Sequence, residues 1–523
     1  MKKRLCLLFI ISALLFPGCG NNDTPSEPTH HYEETWTHDE NTHWHACTDS
    51  GYENLKSDEA PHTFTDVVTD PTFSNGGYTT HTCSVCDYSY VDSETEKLVP
   101  EKTVSYKVAA SLNPDKTEGY TFELPYSDEL FKLSAKNYHK DLSLLSSGLA
   151  FVSSYVDDMN DFFSQTGFVD AIYHGYEEAP TADSVAYTFA HKQIDDFELF
   201  VISPRGLVYG LEWVNNFTVG ASGDHEGFLA RANDIHNELK TYVANHKGNK
   251  EVKYWIAGYS RAGAISNVLA SLLLRENNSD LEDDLFAYTF EAPSCVSVEH
   301  AIKYPNVHNI INSSDLVARV LPDQYGLARC GIDYDIYNKD EANIIKEFDP
   351  DISFSDFVEM TINNVECKDD VQVLETLLDS VYNAEPSEEQ WAVKTREQYA
   401  TVYQDSFAYM LGNIFALSAS TRSSILTDLT KDYSVVFSIL GDSTGAKFAD
   451  FIKTYLDKDE ITYDYDTLVG HCAVMLKAII YLFGTVISTF MVESNRPGLM
   501  RLINVHYPES VYSLLTHAHK NIQ

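Results

Sequence analysis

The 523-residue sequence is short of positive charge, with 37 Lys and Arg against 78 Asp and Glu and a formal net charge of −41. That shortage excludes a nucleic-acid binder, because attraction to phosphate needs clustered Lys and Arg. A cysteine framework is also lacking. Of nine cysteines, Cys6 and Cys19 lie at the N-terminus, Cys47, Cys83 and Cys86 fall within 40 residues of one another, and Cys295, Cys330, Cys367 and Cys472 are scattered. No spacing recurs, so disulfides do not define the fold, although a Cys330–Cys367 bridge stays open. Beyond the N-terminus no apolar run reaches membrane length. The longest, Ala478 to Val492, has 15 residues, short of the roughly 20 that span a bilayer. It reads as a buried or interfacial helix, with a substrate-facing lid helix as the sharper alternative. Apolar residues are plentiful at 44%, with 12% aromatic, which is enough for a large core.

The first residues are a targeting segment. Met1-Lys-Lys-Arg4, an apolar run from Leu5 to Phe16, and Pro17-Gly18-Cys19 have the layout of an export signal over residues 1–18. It resembles a bacterial lipoprotein signal, which implies that Cys19 is lipid-modified and anchors the chain in the membrane. Phe16 and Pro17 depart from that pattern, and a plain secretory signal is the alternative. Both predict export, either to the outer face of the cell membrane or into the medium. Residues 19–29 are polar with Pro and Ser, as in a flexible tether.

Residues 30–98 hold seven of the 19 histidines and three cysteines among alternating Tyr, Thr and Trp, which predicts a small β-rich module. Cys83-Ser-Val-Cys86 is a C-x-x-C knuckle, and Cys47-Thr-Asp-Ser50 looks like a second whose last cysteine is serine. The expectation is a structural zinc held by Cys47, Cys83 and Cys86 with His45 or His62. A Cys83–Cys86 or Cys47–Cys86 disulfide is the competing reading. His43-Trp44-His45-x-Cys47 resembles small repeats of Gram-positive surface proteins. The module has no catalytic logic and reads as a spacer or binding unit.

From residue 104 to 523 helical and strand patterns alternate. Asn137 to Phe163 has helical periodicity. Ala186–His191, Glu198–Ser203, Val252–Ala257, Leu285–Phe290 and Val307–Ile311 are short apolar or β-branched runs, and His225–Val243 and Ala264–Arg275 are amphipathic. Such alternation predicts an α/β fold with a mostly parallel sheet covered on both faces. Residues 326–500 read as helix after helix, a large helical cap inserted into that fold.

Two serines sit in hydrolase-like strings. Gly441-Asp-Ser443-Thr-Gly445 satisfies G-x-S-x-G, whereas Gly258-Tyr-Ser260-Arg-Ala262 misses its last position. Context favours Ser260, because a nucleophile elbow needs a buried strand, a sharp turn and a helix. Lys250–Ala257 and Ala264–Leu274 supply the strand and the helix. Ser443 lies among helices, where its string simply makes a turn with Ser or Thr as N-cap. A serine needs an imidazole base held by a carboxylate. Asp315, after the strand Val307–Asn312, and His506, near the C-terminus, complete the order Ser, acid, His. Asp323, His471 and His517 are the alternatives.

Several motifs then carry a resemblance together: Ser203-Pro-Arg-Gly206, Glu212-Trp-Val-Asn-Asn-Phe217, Asp224-His-Glu-Gly-Phe228, Gly258-Tyr-Ser-Arg-Ala-Gly263, Tyr288-Thr-Phe-Glu-Ala-Pro293, Asn312-Ser-Ser-Asp315 and His506-Tyr-Pro-Glu509. Over about residues 135–325 and the final 20, the chain resembles the class 3, fungal-type lipases of the α/β-hydrolase superfamily. The resemblance implies Ser260 as nucleophile, Asp315 as acid and His506 as base, with an oxyanion hole from the backbone N–H groups of Arg261 and Leu207. Leu207 brings no hydroxyl, which many family members have there. It makes His225 structural, requires no cofactor for catalysis, and implies a lipid or other ester substrate. The competing function is a non-catalytic surface binding protein on the same scaffold. A peptidase or thioesterase is a third.

Overall fold

The computed structural model describes residues 29–176, 179–207, 210–321, 323–382, 395–431 and 433–521. The expected signal, Cys19 and all but the last residue of the tether lie outside the described residues. The chain forms two compact units. The smaller comprises the described residues up to Thr69 together with Gly77–Thr95, and the larger comprises Asp70–Gly76 and everything from Glu96 on.

The predicted 30–98 boundary therefore needs correcting, because Asp70–Gly76 belongs with the large unit. Its backbone and side chains are tied there by hydrogen bonds. Asn137 Nδ2 donates to Asp70 Oδ2 at 2.8 Å, His139 Nε2 to the Pro71 carbonyl at 2.8 Å, and the Phe73 N–H to Asp141 Oδ2 at 2.8 Å.

The small unit is β-rich, with two three-stranded antiparallel sheets. One joins Thr37–His38, Thr42–Ala46 and Lys56–Pro61, the other Phe64–Thr69, Tyr78–Cys83 and Ser89–Asp92. Among the described residues of this unit the buried side chains are His43, Cys47, Cys83 and Cys86. A conventional hydrophobic core is missing.

The large unit is built on a seven-stranded mixed sheet. Its strands are β1 (Val169–His174), β2 (Tyr187–Ile194), β3 (Phe197–Pro204), β4 (Glu251–Tyr259), β5 (Leu285–Phe290), β6 (Val307–Ile311) and β7 (Ile332–Asp335), lying side by side in chain order. β1–β3 pair antiparallel and β3 to β7 pair parallel. Parallel strands with both faces covered read as continuous apolar runs, and β3 is buried at every position. Helix α1 (Lys140–Val152) covers one face, placing Leu145 and Leu149 in a cluster with Trp255 and Tyr259. Helices α2 (Glu226–His246) and α3 (Arg261–Glu276) cover the other, where Ile235 and Ile265 share a cluster with Ile256 and Ala287.

The helix predicted over Asn137–Phe163 is two helices. α1 ends at Ser153, whose hydroxyl turns back to the Ala150 carbonyl at 2.7 Å, and a second helix restarts over Val156–Thr166. Residues 326–500 are not purely helical either. They contain the edge strand β7 and a hairpin, Met360–Ile362 with Val365–Cys367, turned by Asn363 and Asn364 at φ 48° and 68°. The helices after it include α4 (Asp370–Tyr382), α5 (Gln404–Ala416), α6 (Tyr465–Met491) and α7 (Arg496–Asn504), and α8 (Pro508–Asn521) is the last described. Val381, Phe407 and Ala478 from α4, α5 and α6 meet in one cluster, while Val511, Leu514 and Leu515 of α8 return to the sheet core. Ala478–Met491 forms the end of α6, and no described helix is long and apolar enough to cross a membrane. All seven described cysteines are free thiols, so none of the weighed disulfides forms. Cys330 packs against the sheet and Cys367 in the α4–α7 cluster.

Candidate active site

β4 runs into Ser260, which sits at φ 58° and ψ −127°, and α3 begins at the next residue. A side chain at positive φ is costly and persists where its surroundings fix it. Here the Ser260 N–H donates to the Phe290 carbonyl of the neighbouring strand at 2.8 Å. Gly258 is required, because a Cβ there would lie 2.4 Å from the Ala262 carbonyl oxygen and 2.4 Å from Ser266 Oγ. Ala262 is fully buried with its methyl accommodated. Ser443 is exposed in the turn between helices Tyr433–Leu440 and Ala446–Lys458. The N-cap of the second of these helices is Gly445 at φ 78°, not the Ser or Thr expected.

The structure brings the three expected triad residues together. His506, between α7 and α8, places Nε2 2.9 Å from Ser260 Oγ and Nδ1 2.6 Å from Asp315 Oδ2. Asp315 is fully buried beyond the end of β6, and its Oδ1 accepts the Val317 N–H at 2.8 Å. A carboxylate on Nδ1 assigns the ring proton to that nitrogen, leaving the Nε2 lone pair for the serine hydroxyl. The Tyr259 hydroxyl donates to the His506 carbonyl, and the two rings stack with centroids 5.1 Å apart. The alternative histidines are elsewhere. His471 Nδ1 shares a hydrogen bond with Ser406 Oγ at 3.0 Å, and His517 lies on α8. Asp323 opens a short 3-10 turn, Asp323–Tyr325.

Buried charge surrounds this triad, and none of it was foreseen. Glu291 follows β5 at φ 48°, and its Oε2 accepts the Asn312 N–H at 3.0 Å. Burial, reinforced by the charge of Asp315, pushes its carboxyl well above the ordinary range. Arg501 on α7 donates to Asp370 at 2.9 and 2.6 Å and to Glu341 at 3.1 Å. Glu341 in turn accepts from Asn312 Nδ2 at 3.3 Å, and burial together with the charge of Asp370 pushes it up to about 8. This network ties the helix before His506 to the loop before Asp315. Under the elbow, Glu212 is fully buried between Arg205 at 2.8 Å and Arg261 at 3.1 Å. Arg501 lies 131 residues from Asp370 and 160 from Glu341, separations that no local pattern announces.

The expected oxyanion donors flank Ser260. The Arg261 N–H opens α3, whereas the Leu207 N–H donates to Ser154 Oγ at 3.2 Å. A cavity of about 510 Å³ opens over Ser260 and His506, lined by Leu207, Phe217, Val320, Val381 and Phe407 among others. Val381 and Phe407 come from α4 and α5. His225 is structural, as expected. It caps α2 by accepting the Phe228 N–H at 3.4 Å, and burial with the nearby Arg396 pulls it down to about 3, keeping it neutral.

Family and structural comparisons bear on part of this site. Residues 201–325 match the Lipase (class 3) family. The lipase-matched stretch contains Ser260 and Asp315 and stops short of His506, so geometry alone brings the histidine in. No curated protein matches the chain by sequence. Solved structures similar to it include a fungal lipase in complex with an inhibitor, at 17% identity over 38% of this chain and 81% of that one, with a TM-score of 0.31. The lipase of Rhizopus microsporus var. chinensis is 15% identical over 40% and 75%, with a TM-score of 0.29. Lipase II of Rhizopus niveus is 14% identical over 38% and 81%, with a TM-score of 0.30.

In the small unit the expected ligands divide. His62, Cys83 and Cys86 come together, and His43 joins them. Cys47 groups instead with His30 and Asp49, while His45 stacks on Trp36 at 3.9 Å and hydrogen-bonds the Thr35 carbonyl at 3.2 Å. Both rings lie against Trp36, with centroids 4.7 Å (His43) and 3.9 Å (His45) away, but His43 alone reaches the cysteine pair.

Proposed function

We propose that this chain is an exported serine hydrolase of the lipase type, cleaving carboxylic esters of lipids through an acyl-enzyme on Ser260. The observation that carries the reading is the unbroken hydrogen-bond relay from Ser260 Oγ through His506 to buried Asp315. His506 Nε2 takes the serine proton as Oγ attacks the ester carbonyl, and Asp315 stabilises the resulting imidazolium. The same nitrogen protonates the leaving alcohol, and water then releases the acyl group by the reverse roles. The Arg261 N–H at the start of α3 faces the developing oxyanion. The Leu207 N–H joins it by turning from Ser154.

An apolar cavity beside the nucleophile suits an acyl chain, and its walls from α4 and α5 act as a cap over the site. The N-terminal signal pattern and Cys19 support export and lipid anchoring.

The test is fluorophosphonate labelling and hydrolysis of short nitrophenyl esters by the parent chain, Ser260→Ala and Ser443→Ala. Labelling lost only in Ser260→Ala supports the reading. Folded parent protein that never labels favours a non-catalytic binding protein, and labelling lost only in Ser443→Ala moves the nucleophile.

A further inference from the structure

The small unit combines a missing hydrophobic core with four convergent metal-binding side chains. Its buried side chains are His43, Cys83 and Cys86 together with Cys47, and the packing between its sheets is of partly exposed rings, such as His38 against Tyr88 at 5.0 Å, without a buried aliphatic core. A domain this small ordinarily needs a staple, whether disulfide or metal. Its cysteines are free.

The ligand atoms of His43, His62, Cys83 and Cys86 all lie within 4.8 Å of one another. His62 Nδ1 is 3.4 Å from Cys86 Sγ, and His43 Nδ1 is 3.9 Å from Cys83 Sγ. Zinc–sulfur bonds near 2.3 Å and zinc–nitrogen bonds near 2.0 Å at tetrahedral angles put neighbouring ligand atoms about 3.3–3.8 Å apart. The side chains therefore already stand near the spacing that the ion imposes.

The surroundings point the same way. His62 Nε2 hydrogen-bonds the Asp39 carbonyl at 2.9 Å, which puts the proton on that nitrogen and frees Nδ1 to face the sulfurs. Asp87 at φ 58° turns the chain after Cys86, and the Cys83 N–H closes the turn by donating to the Tyr88 carbonyl at 2.8 Å. The four ligands come from separate pieces of chain: His43 from one sheet, Cys83 from the end of a strand in the other, His62 from the link between the sheets, and Cys86 from a turn.

We infer that His43, His62, Cys83 and Cys86 hold one structural zinc ion that joins the two sheets of the N-terminal unit. Two thiolates and two imidazoles form a closed tetrahedral set of the kind zinc favours, with no position left for a substrate. His45 and Cys47 are outside the set.

The test uses the full exported chain, isolated under reducing conditions and dialysed against a weak chelator. About one zinc per chain is expected, and cobalt(II) exchanged for it should show the visible bands of tetrahedral thiolate coordination. Zinc should be lost in Cys86→Ser and kept in both Cys47→Ser and His45→Ala. The cobalt spectrum is read on the unaltered chain, so misfolding of a variant does not decide the matter. A parent chain with no zinc and no tetrahedral cobalt spectrum overturns the assignment, as does loss of zinc in both Cys47→Ser and His45→Ala. Fluorophosphonate labelling of the same samples reports on Ser260 independently.

Discussion

Ser260 and Ser443 stand in almost the same five-residue string, and the structure makes opposite things of them. At the elbow the first glycine is indispensable and the last has become Ala262, because the crowding falls on Gly258. In the helical turn the requirement is reversed. A Cβ on Gly441 would meet the Phe437 carbonyl oxygen at 3.2 Å, whereas one on Gly445 would lie 2.4 Å from the backbone nitrogen of Ala473 in α6. Behind Ser260 stand a buried strand end, a relay to Asp315 and a shell of buried ion pairs. Behind Ser443 stands a half-buried Asp442 bonded to local N–H groups. The string describes a tight turn. Only the strand beneath it and the imidazole above it make the turn a nucleophile.

The strongest way to break this comparison is to remove each hydroxyl. Ser260→Ala should lower ester turnover about 10⁴-fold or more, since a triad nucleophile acts as one unit with its base. Ser443→Ala should leave it unchanged. Steady-state hydrolysis of a nitrophenyl ester reads both, and equal losses would dissolve the distinction.

The supporting charge should separate the two regions next. Arg501→Met leaves Glu341 and Asp370 buried without their cation, and breaking a buried ion network in this way costs about 3–5 kcal/mol. Urea unfolding of the parent and the variant measures it. Asp442→Ala, in the exposed turn, loses bonds to the Thr444 and Lys447 N–H groups and should cost only about 1 kcal/mol. A midpoint for Arg501→Met within error of the parent would show that the network does not brace the site.

Much of this was legible in the sequence, for a physical reason. β3 to β6 are buried on both faces and read as apolar runs, and the helices over them carry one apolar stripe each. Ser260, Asp315 and His506 could be ordered because each sits at the end of such an element. What escaped lacks a local signature. β7 lies in Ile332-Asp-Tyr-Asp-Ile336, a five-residue alternation inside a stretch that otherwise reads as helical, and Asn363-Asn364 is a hairpin turn between two short runs. Glu291 and the Arg501 network are single charged residues whose partners only folding supplies. Of the expected metal ligands Cys47 lies instead with His30 and Asp49, and His43 takes its place, because only the pairing of separate strands brings His43 to the Cys83–Cys86 knuckle.

Glycine exchanges sharpen the comparison at intermediate size. Gly258→Ala forces a methyl onto backbone and should cost about 3 kcal/mol along with fluorophosphonate labelling. Gly445→Ala meets comparable crowding and an unfavourable φ, so it should cost a similar amount while labelling of Ser260 persists. Gly441→Ala, with one carbonyl oxygen at 3.2 Å, should cost less than either, about 1 kcal/mol. Unfolding midpoints set beside labelling of folded protein distinguish the three, and lost labelling in Gly445→Ala would mean that the helical region shapes the elbow directly.

The smallest effect is one of pH, and its sign differs between the two regions. Asp442 is held below the ordinary carboxylate value of 3.8 by the N–H of Lys447 and by Thr444, so its contribution is present above that value and fades on acidification. Glu291 is raised from an ordinary value of 4.5 by burial and then by Asp315. Below about 4.5 it is protonated in folded and unfolded chains alike and has no effect. Above it the unfolded chain releases a proton that the folded chain keeps, so stability falls as pH rises, by at most about 1.4 kcal/mol per pH unit. Glu291→Gln keeps the shape and removes the proton exchange, so its stability relative to the parent should grow from pH 5 to pH 8. Urea denaturation of both proteins across that range gives the difference directly. A difference that stays flat would mean that Glu291 is ionised beside Asp315, and the buried carboxyl would then have to be balanced by a cation the folded chain supplies from elsewhere.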